Sequence, residues 1–167
     1  MPAHIERCYS LYTVEQLFDL VADVESYPQF LPWILSSCIL KREQDAVWVE
    51  MILGIGPFQQ RFHSQALLNR PHAIEITSYD EPFEWYRQQW RFAVDSDGRT
   101  VVEYSCNYSL RSQILELMSP LVLDEAARST LHAFEQRAQQ VYGAQERPSG
   151  AHDSSASTAR SAESEYS

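Results

Sequence analysis

The side chains able to do acid–base, nucleophilic or metal chemistry are dispersed along this chain. His4, His63, His72, His132 and His152 include no His-Glu-x-x-His pair, and the sequence has no Ser-centred elbow, phosphate loop or dinucleotide glycine fingerprint. Gly54-Ile55-Gly56 is followed by Pro57 and a strand-like run instead of a helix, so it is a turn and not a phosphate cradle. Cys8, Cys38 and Cys106 are odd in number and lack a Cys-x-x-Cys pair. Neither a disulfide framework nor a zinc site is encoded, and a reducing compartment is expected. Asp23 and Glu25 fall at a helix end and Glu103 on a wet strand face, where carboxylates are solvated charge. Tyr104 and Tyr108 are the only acid–base candidates that strand alternation turns inward, and with a phenol pKa of about 10 they are poor bases at neutral pH. A noncatalytic protein without a metal is expected.

Charge narrows the partners. The 167 residues carry 13 basic and 23 acidic side chains, a net charge of −10. Phosphate affinity comes from clustered Lys and Arg, so direct DNA binding is not expected. No apolar run approaches the ~20 residues of a membrane span, and the N-terminus lacks a signal pattern. A cytoplasmic protein is expected. From Ala144 the chain is polar, with Tyr166 its one large apolar residue. Such a segment buries too little surface to offset chain entropy, so residues 1–143 are the expected folded domain and 144–167 a disordered tail.

The elements that must position any site follow from periodicity. Ile5 to Tyr12 is an opening strand, and Thr13-Val14-Glu15-Gln16 fits a capping box. Leu17, Leu20, Val21 and Val24 then form a helical stripe that ends at Tyr27-Pro28. Pro28 and Pro32 bracket a stiff apolar turn ending in Trp33. From Ile34 to Leu110, five turn segments separate period-two runs: Val47, Val49, Met51 and Leu53; Phe58, Phe62, Ala66 and Leu68; Ile74 and Ile76; Trp90, Phe92 and Val94; and Val102 through Leu110. They predict a consecutive antiparallel sheet of six to seven strands with one wet face. A long amphipathic helix runs from about Ser112 to Tyr142, carrying Ile114, Met118, Leu121, Val122, Leu131, Phe134, Ala138 and Val141. It closes at Gly143 and is kinked or broken at Ser119-Pro120. A one-faced sheet followed by one long helix curls around it, an α+β two-layer domain.

This layout resembles the helix-grip fold of the START and birch-allergen superfamily. Tyr12-Thr13-x-x-Gln16-Leu17-Phe18, continuing through Leu20-Val21-x-Asp23-Val24 to Tyr27-Pro28-x-Phe30-Leu31-Pro32-Trp33, is similar to the opening signature of the coenzyme Q-binding START-domain proteins. Phe62-x-Ser64, Pro71-His72-x-Ile74, Pro82-Phe83, Trp90-x-Phe92 and Ala133-Phe134-x-x-Arg137-Ala138 follow in the family's order. The resemblance covers residues 1–143. It implies a carrier or chaperone for ubiquinone that supports respiratory electron transfer, with no other cofactor. The same family includes ribosome-association toxins, which makes the ribosome a possible partner, and related folds host cyclases.

A curled sheet and one helix leave an apolar interior, and a prenyl tail buried there gains about 0.8 kcal/mol per methylene before association costs. Phe30, Trp33, Val49, Met51, Phe62, Trp90, Phe92, Tyr104, Tyr108 and Met118 are the expected lining of this cavity. Trp90, Tyr104, Tyr108 and Ser64 are candidates to hold a quinone head, and Met51 and Met118 to adapt to a tail. Trp33 is placed to gate the mouth. The ligand has to be collected from a bilayer, so transient contact with the inner membrane is expected, through the apolar turn Phe30-Leu31-Pro32-Trp33 because the acidic balance opposes an anionic leaflet.

Overall fold

The computed structural model describes residues 3–111 and 120–143. Strand β1 (Ala3–Ser10) leads into helix α1 (Val14–Ala22) and a 3-10 turn (Val24–Gln29). Six strands follow: β2 (Ile34–Glu43), β3 (Ala46–Ile55), β4 (Phe58–Asn69), β5 (Ala73–Ser78), β6 (Phe83–Val94) and β7 (Thr100–Leu110). Helix α2 (Pro120–Tyr142) ends the described chain. The expected helical stretch from Ser112, its break at Ser119, Met118 and the tail from Ala144 lie outside the described residues.

All strand pairings are antiparallel. The sheet order is β1-β7-β6-β5-β4-β3-β2, so the hairpins run consecutively from β2 to β7 and the opening strand closes onto the last. Each hairpin turns at a segment of Gly, Pro, Asp or Asn. The opening strand ends two residues earlier than its apolar pattern suggests, because Thr13 already caps α1: the Gln16 amide donates to Thr13 Oγ1 at 3.1 Å and the Thr13 amide to Gln16 Oε1 at 3.0 Å. Two of the amides at this helix start are thereby satisfied. The buried stripe Val14, Leu17, Phe18, Leu20 and Val21 fixes α1 against the core.

The core lies between the concave face of the sheet and α2, with α1 closing one end. On α2 the buried stripe is Leu123, Ala126, Ala127, Thr130, Leu131, Phe134 and Ala138, recurring at three-to-four-residue spacing. Leu121, Val122 and Val141, expected on that stripe, are exposed at 75%, 39% and 50%. Leu121 and Val122 stand one and two positions ahead of Leu123 and are rotated off the inward face. Val94, expected inward, is also exposed, at the end of β6 where the chain leaves the sheet. The far end of α2 is stitched to the start of α1. Gly143 sits in the left-handed region at φ 81°, the Tyr12 hydroxyl donates to the Gly143 carbonyl at 2.8 Å, and the Tyr142 hydroxyl to the Gln16 carbonyl at 2.9 Å. The curved antiparallel sheet gripping one long C-terminal helix is the α+β helix-grip fold.

Candidate functional site

Strand register sorts the concave face into rows. The deepest row pairs Trp90 with Tyr104 across β6 and β7, and Trp90 with Ile74 across β5 and β6. The next pairs Gln88 with Cys106 and Ile76, and the next Tyr86 with Tyr108. Toward the open end come Phe83 opposite Leu110, Met51 opposite Phe62, and Leu53 opposite Ile34. The Gly54 amide then bonds the Trp33 carbonyl at 2.9 Å, holding Trp33 beside the end of β3. A Cβ on Gly54 would lie 2.5 Å from Leu35 Cδ1, so glycine there lets the Leu35 side chain lie over the strand.

Between these rows and α2 lies a cavity of about 90 Å³, room for roughly three waters. Leu123, Ala126, Ala127, Thr130 and Phe134 of α2 form its roof. Among the described residues no histidine, carboxylate, lysine or arginine lines it. Its polar groups are hydroxyls, a thiol and one amide. The Trp90 indole N–H donates to Gln88 Oε1 at 2.9 Å, and Gln88 Nε2 donates to the Tyr86 hydroxyl at 2.9 Å and the Tyr104 hydroxyl at 3.4 Å. Thr130 Oγ1 turns back to the Ala126 carbonyl at 2.8 Å. The Tyr108 hydroxyl is buried without a partner.

Burial dominates the electrostatics. It pushes the phenols of Tyr86 and Tyr104 well above their ordinary range and the Cys106 thiol up. It pushes Tyr108 up to about 12, with the Asp124 charge adding to the effect. At neutral pH these groups are protonated, able to donate a hydrogen bond but not to take a proton.

Of the expected lining, Trp33, Met51, Phe62, Tyr104 and Tyr108 come together around the cavity. Phe30, Val49, Trp90 and Phe92 do not line it. Trp90 and Phe92 are closed into the end wall at 1% and 2% exposure, stacked on each other at 6.1 Å, with Trp90 against Tyr104 at 4.7 Å and Phe134 at 5.0 Å. Only a packing gap of about 10 Å³ separates them from α1. Val49 is fully packed beneath the sheet centre. Phe30 lies edge-on to Phe134 at 4.9 Å, with the Arg137 guanidinium 5.3 Å from its ring centre.

Sequence reasoning missed Gln88, Tyr86, Phe83 and Thr130. Gln88 occupies an inward position by strict alternation with Trp90 and Phe92, a polar residue among apolar ones, which was the available signal. Phe83 shares the inward face with Tyr86 because a bulge between Phe83 and Trp85 shifts the register, and a bulge leaves no mark in period-two counting.

The mouth lies at Trp33. Together with Ala126, Trp33 borders both the cavity and an outer groove of about 440 Å³, the latter formed with Pro32, Gly54, Ile55, Leu121 and Val122. Leu31 is turned inward at 3% exposure, so the apolar surface at this end comes from Pro32, Leu35, Leu121 and Val122 more than from the whole turn. No helix among the described residues is long and apolar enough to cross a membrane.

A curved sheet, a gripping helix and an apolar hollow with its mouth at one end define a START-type binding fold. Residues 11–135 match the family described as polyketide cyclase / dehydrase and lipid transport, and the chain belongs to that family. Among its relatives is the ribosome association toxin RatA of Pseudomonas aeruginosa, 30% identical over 144 residues, covering 86% of this chain and 100% of that protein. Coenzyme Q-binding protein COQ10 homolog B, mitochondrial, of Xenopus laevis is 27% identical over 141 residues, which is 82% of this chain and 58% of that longer protein. Of solved structures, the 18 kDa protein CC1736 from Caulobacter crescentus superposes with a TM-score of 0.67 at 31% identity, covering 86% of this chain and all of that one. The Zhui aromatase/cyclase from Streptomyces sp. R1128 superposes at 0.69 with 15% identity over 83% of this chain and 94% of the enzyme, a likeness of fold alone.

Proposed function

We propose that this chain is a noncatalytic carrier or chaperone for coenzyme Q or a similar prenyl lipid, acting in respiratory electron transfer. The observation that carries this reading is an uncharged cavity between sheet and helix, bordered by Trp33 and equipped with neutral polar groups, hydroxyls among them. A quinone carbonyl accepts from such hydroxyls, and an isoprenoid gains about 0.8 kcal/mol per methylene it buries, less the costs of association and ordering. The relative named for coenzyme Q binding supports the same ligand class. In this reading Trp33, Met51, Phe62, Tyr104 and Tyr108 touch the ligand, while Trp90, Phe92, Val49 and Phe30 hold the walls. Ligand is exchanged with a bilayer at the Trp33 end, where Leu121 and Val122 are exposed. Organic extraction of the purified protein followed by mass spectrometry is expected to release a quinone or other prenyl lipid. Absence of any lipid, together with no uptake of added ubiquinone, would overturn the reading.

A second reading is supported by the match that runs the full length of the ribosome association toxin: binding to a ribosomal subunit that blocks association. A net charge of −10 opposes contact with an RNA backbone, so any such contact would rest on ribosomal protein or on a short local patch. Co-sedimentation with ribosomes at physiological salt would support it. A cyclase-type activity would fall to Tyr104 or Tyr108 as proton donors, and turnover abolished in the Phe variants would establish it.

A further inference from the structure

We infer that the ligand of this cavity binds polar end first, its oxygen accepting a hydrogen bond from the Tyr108 hydroxyl, while its tail leaves past Trp33 and lies in the outer groove along α2. This rests on the carrier reading and specifies how the same site is filled.

Three buried side-chain polar atoms lack a partner among the described residues: Ser37 Oγ, Arg137 Nε and the Tyr108 hydroxyl. Only Tyr108 belongs to the cavity lining. Buried hydroxyls are nearly always paired, and one left alone loses its hydration without replacement. At 3% exposure Tyr108 meets no bulk water, and its partner has to come from whatever fills the hollow. Its protonated state at neutral pH makes it a donor, which selects an acceptor such as a carbonyl or ether oxygen. Tyr108 sits one row nearer the mouth than Gln88 and one row deeper than Phe83 and Leu110. A polar head in contact with it therefore lies inside that outer apolar row.

Size sets the other half. A hollow of about 90 Å³ takes no more than the polar end of a ligand. A long polyprenyl tail does not fit, and the outer groove shares the border residues Trp33 and Ala126 with the cavity. That groove is about 440 Å³, lined by Pro32, Ile55, Leu121 and Val122 before Glu125 and Ser129 end it. The shared border at Trp33 and Ala126 commits the groove to the ligand's own tail.

The test compares three probes by equilibrium binding to the full-length protein: long-tailed ubiquinone, the tail-less ring 2,3-dimethoxy-5-methyl-1,4-benzoquinone, and squalene, which has an isoprenoid body and no oxygen. Tyr108→Phe, which keeps the ring and its packing, is expected to weaken both quinones about tenfold and leave squalene unchanged. Val122→Glu, at an exposed groove position, is expected to weaken the long-tailed quinone and spare the tail-less one. Quinone affinity unchanged in Tyr108→Phe, an equal loss for squalene, or equal effects of Val122→Glu on the two quinones would overturn this binding mode. Wild-type protein that takes up none of the three would instead overturn the carrier reading on which it rests.

Discussion

The Trp90 indole N–H is bonded to the Gln88 side-chain carbonyl at 2.9 Å, which turns the Gln88 amide nitrogen toward the hydroxyls of Tyr86 and Tyr104. The one side-chain amide lining the cavity is thus held by a tryptophan buried to 1% exposure. Trp90 acts on the cavity by positioning Gln88, and its own N–H is already committed.

Trp90→Ala is therefore expected to act on stability before it acts on ligand. Removing a tryptophan at 1% exposure that packs on Phe92, Tyr104 and Phe134 should cost about 3–5 kcal/mol. Urea denaturation reads this as a lower midpoint with an unchanged slope. A variant as stable as the wild type would remove Trp90 from the core and return it to the ligand surface.

On the outer face of the sheet, His63 is clamped between two carboxylates. Its Nδ1 lies 2.8 Å from Asp80 and its Nε2 3.1 Å from Glu50, whose other oxygen is 3.7 Å from Arg61. The Asp80 hydrogen bond is the largest cause raising the His63 pKa above its ordinary value, with Glu50 adding to it. A raised folded-state pKa favours the folded form below the unfolded value of about 6.5, and that contribution disappears as pH climbs through the folded pKa. NMR titration is expected to place His63 above ~6.5 and to bring it down in Asp80→Asn. An unshifted His63, or one indifferent to Asp80→Asn, would dissolve the clamp.

Trp33 stands where cavity and groove meet. If it gates the mouth, Trp33→Ala should speed the release of decylubiquinone several-fold while the folded spectrum stays native. Stopped-flow transfer to acceptor vesicles measures this, and an unchanged release rate would make Trp33 an ordinary wall residue.

Much of this architecture is legible in the sequence. Period-two runs between Pro, Gly, Asp and Asn turns specified the consecutive hairpins, and Thr13 with Gln16 marked the start of α1 to the residue. Face assignment by alternation also placed Met51, Phe62, Tyr104 and Tyr108 on the hollow side. Alternation cannot say how deep along a strand the hollow ends, so it turns Trp90, Phe92 and Val49 inward without showing that they close the wall. Depth depends on where α1 and Phe134 meet the sheet, a tertiary relationship with no local signature. Likewise Leu121 and Val122 carry apolar side chains without belonging to the buried stripe. Their exposure beside the mouth gives that end of the molecule an apolar surface the sequence had assigned to the turn at Phe30–Trp33.

The most direct test of a ligand-holding cavity follows methyl resonances during titration with decylubiquinone. The Met51, Leu53 and Leu123 methyls, which line the hollow, are expected to shift saturably at one equivalent, while the Leu67 methyls on the outer face stay in place. Shifts confined to surface methyls, or no saturable shift at all, would contradict it.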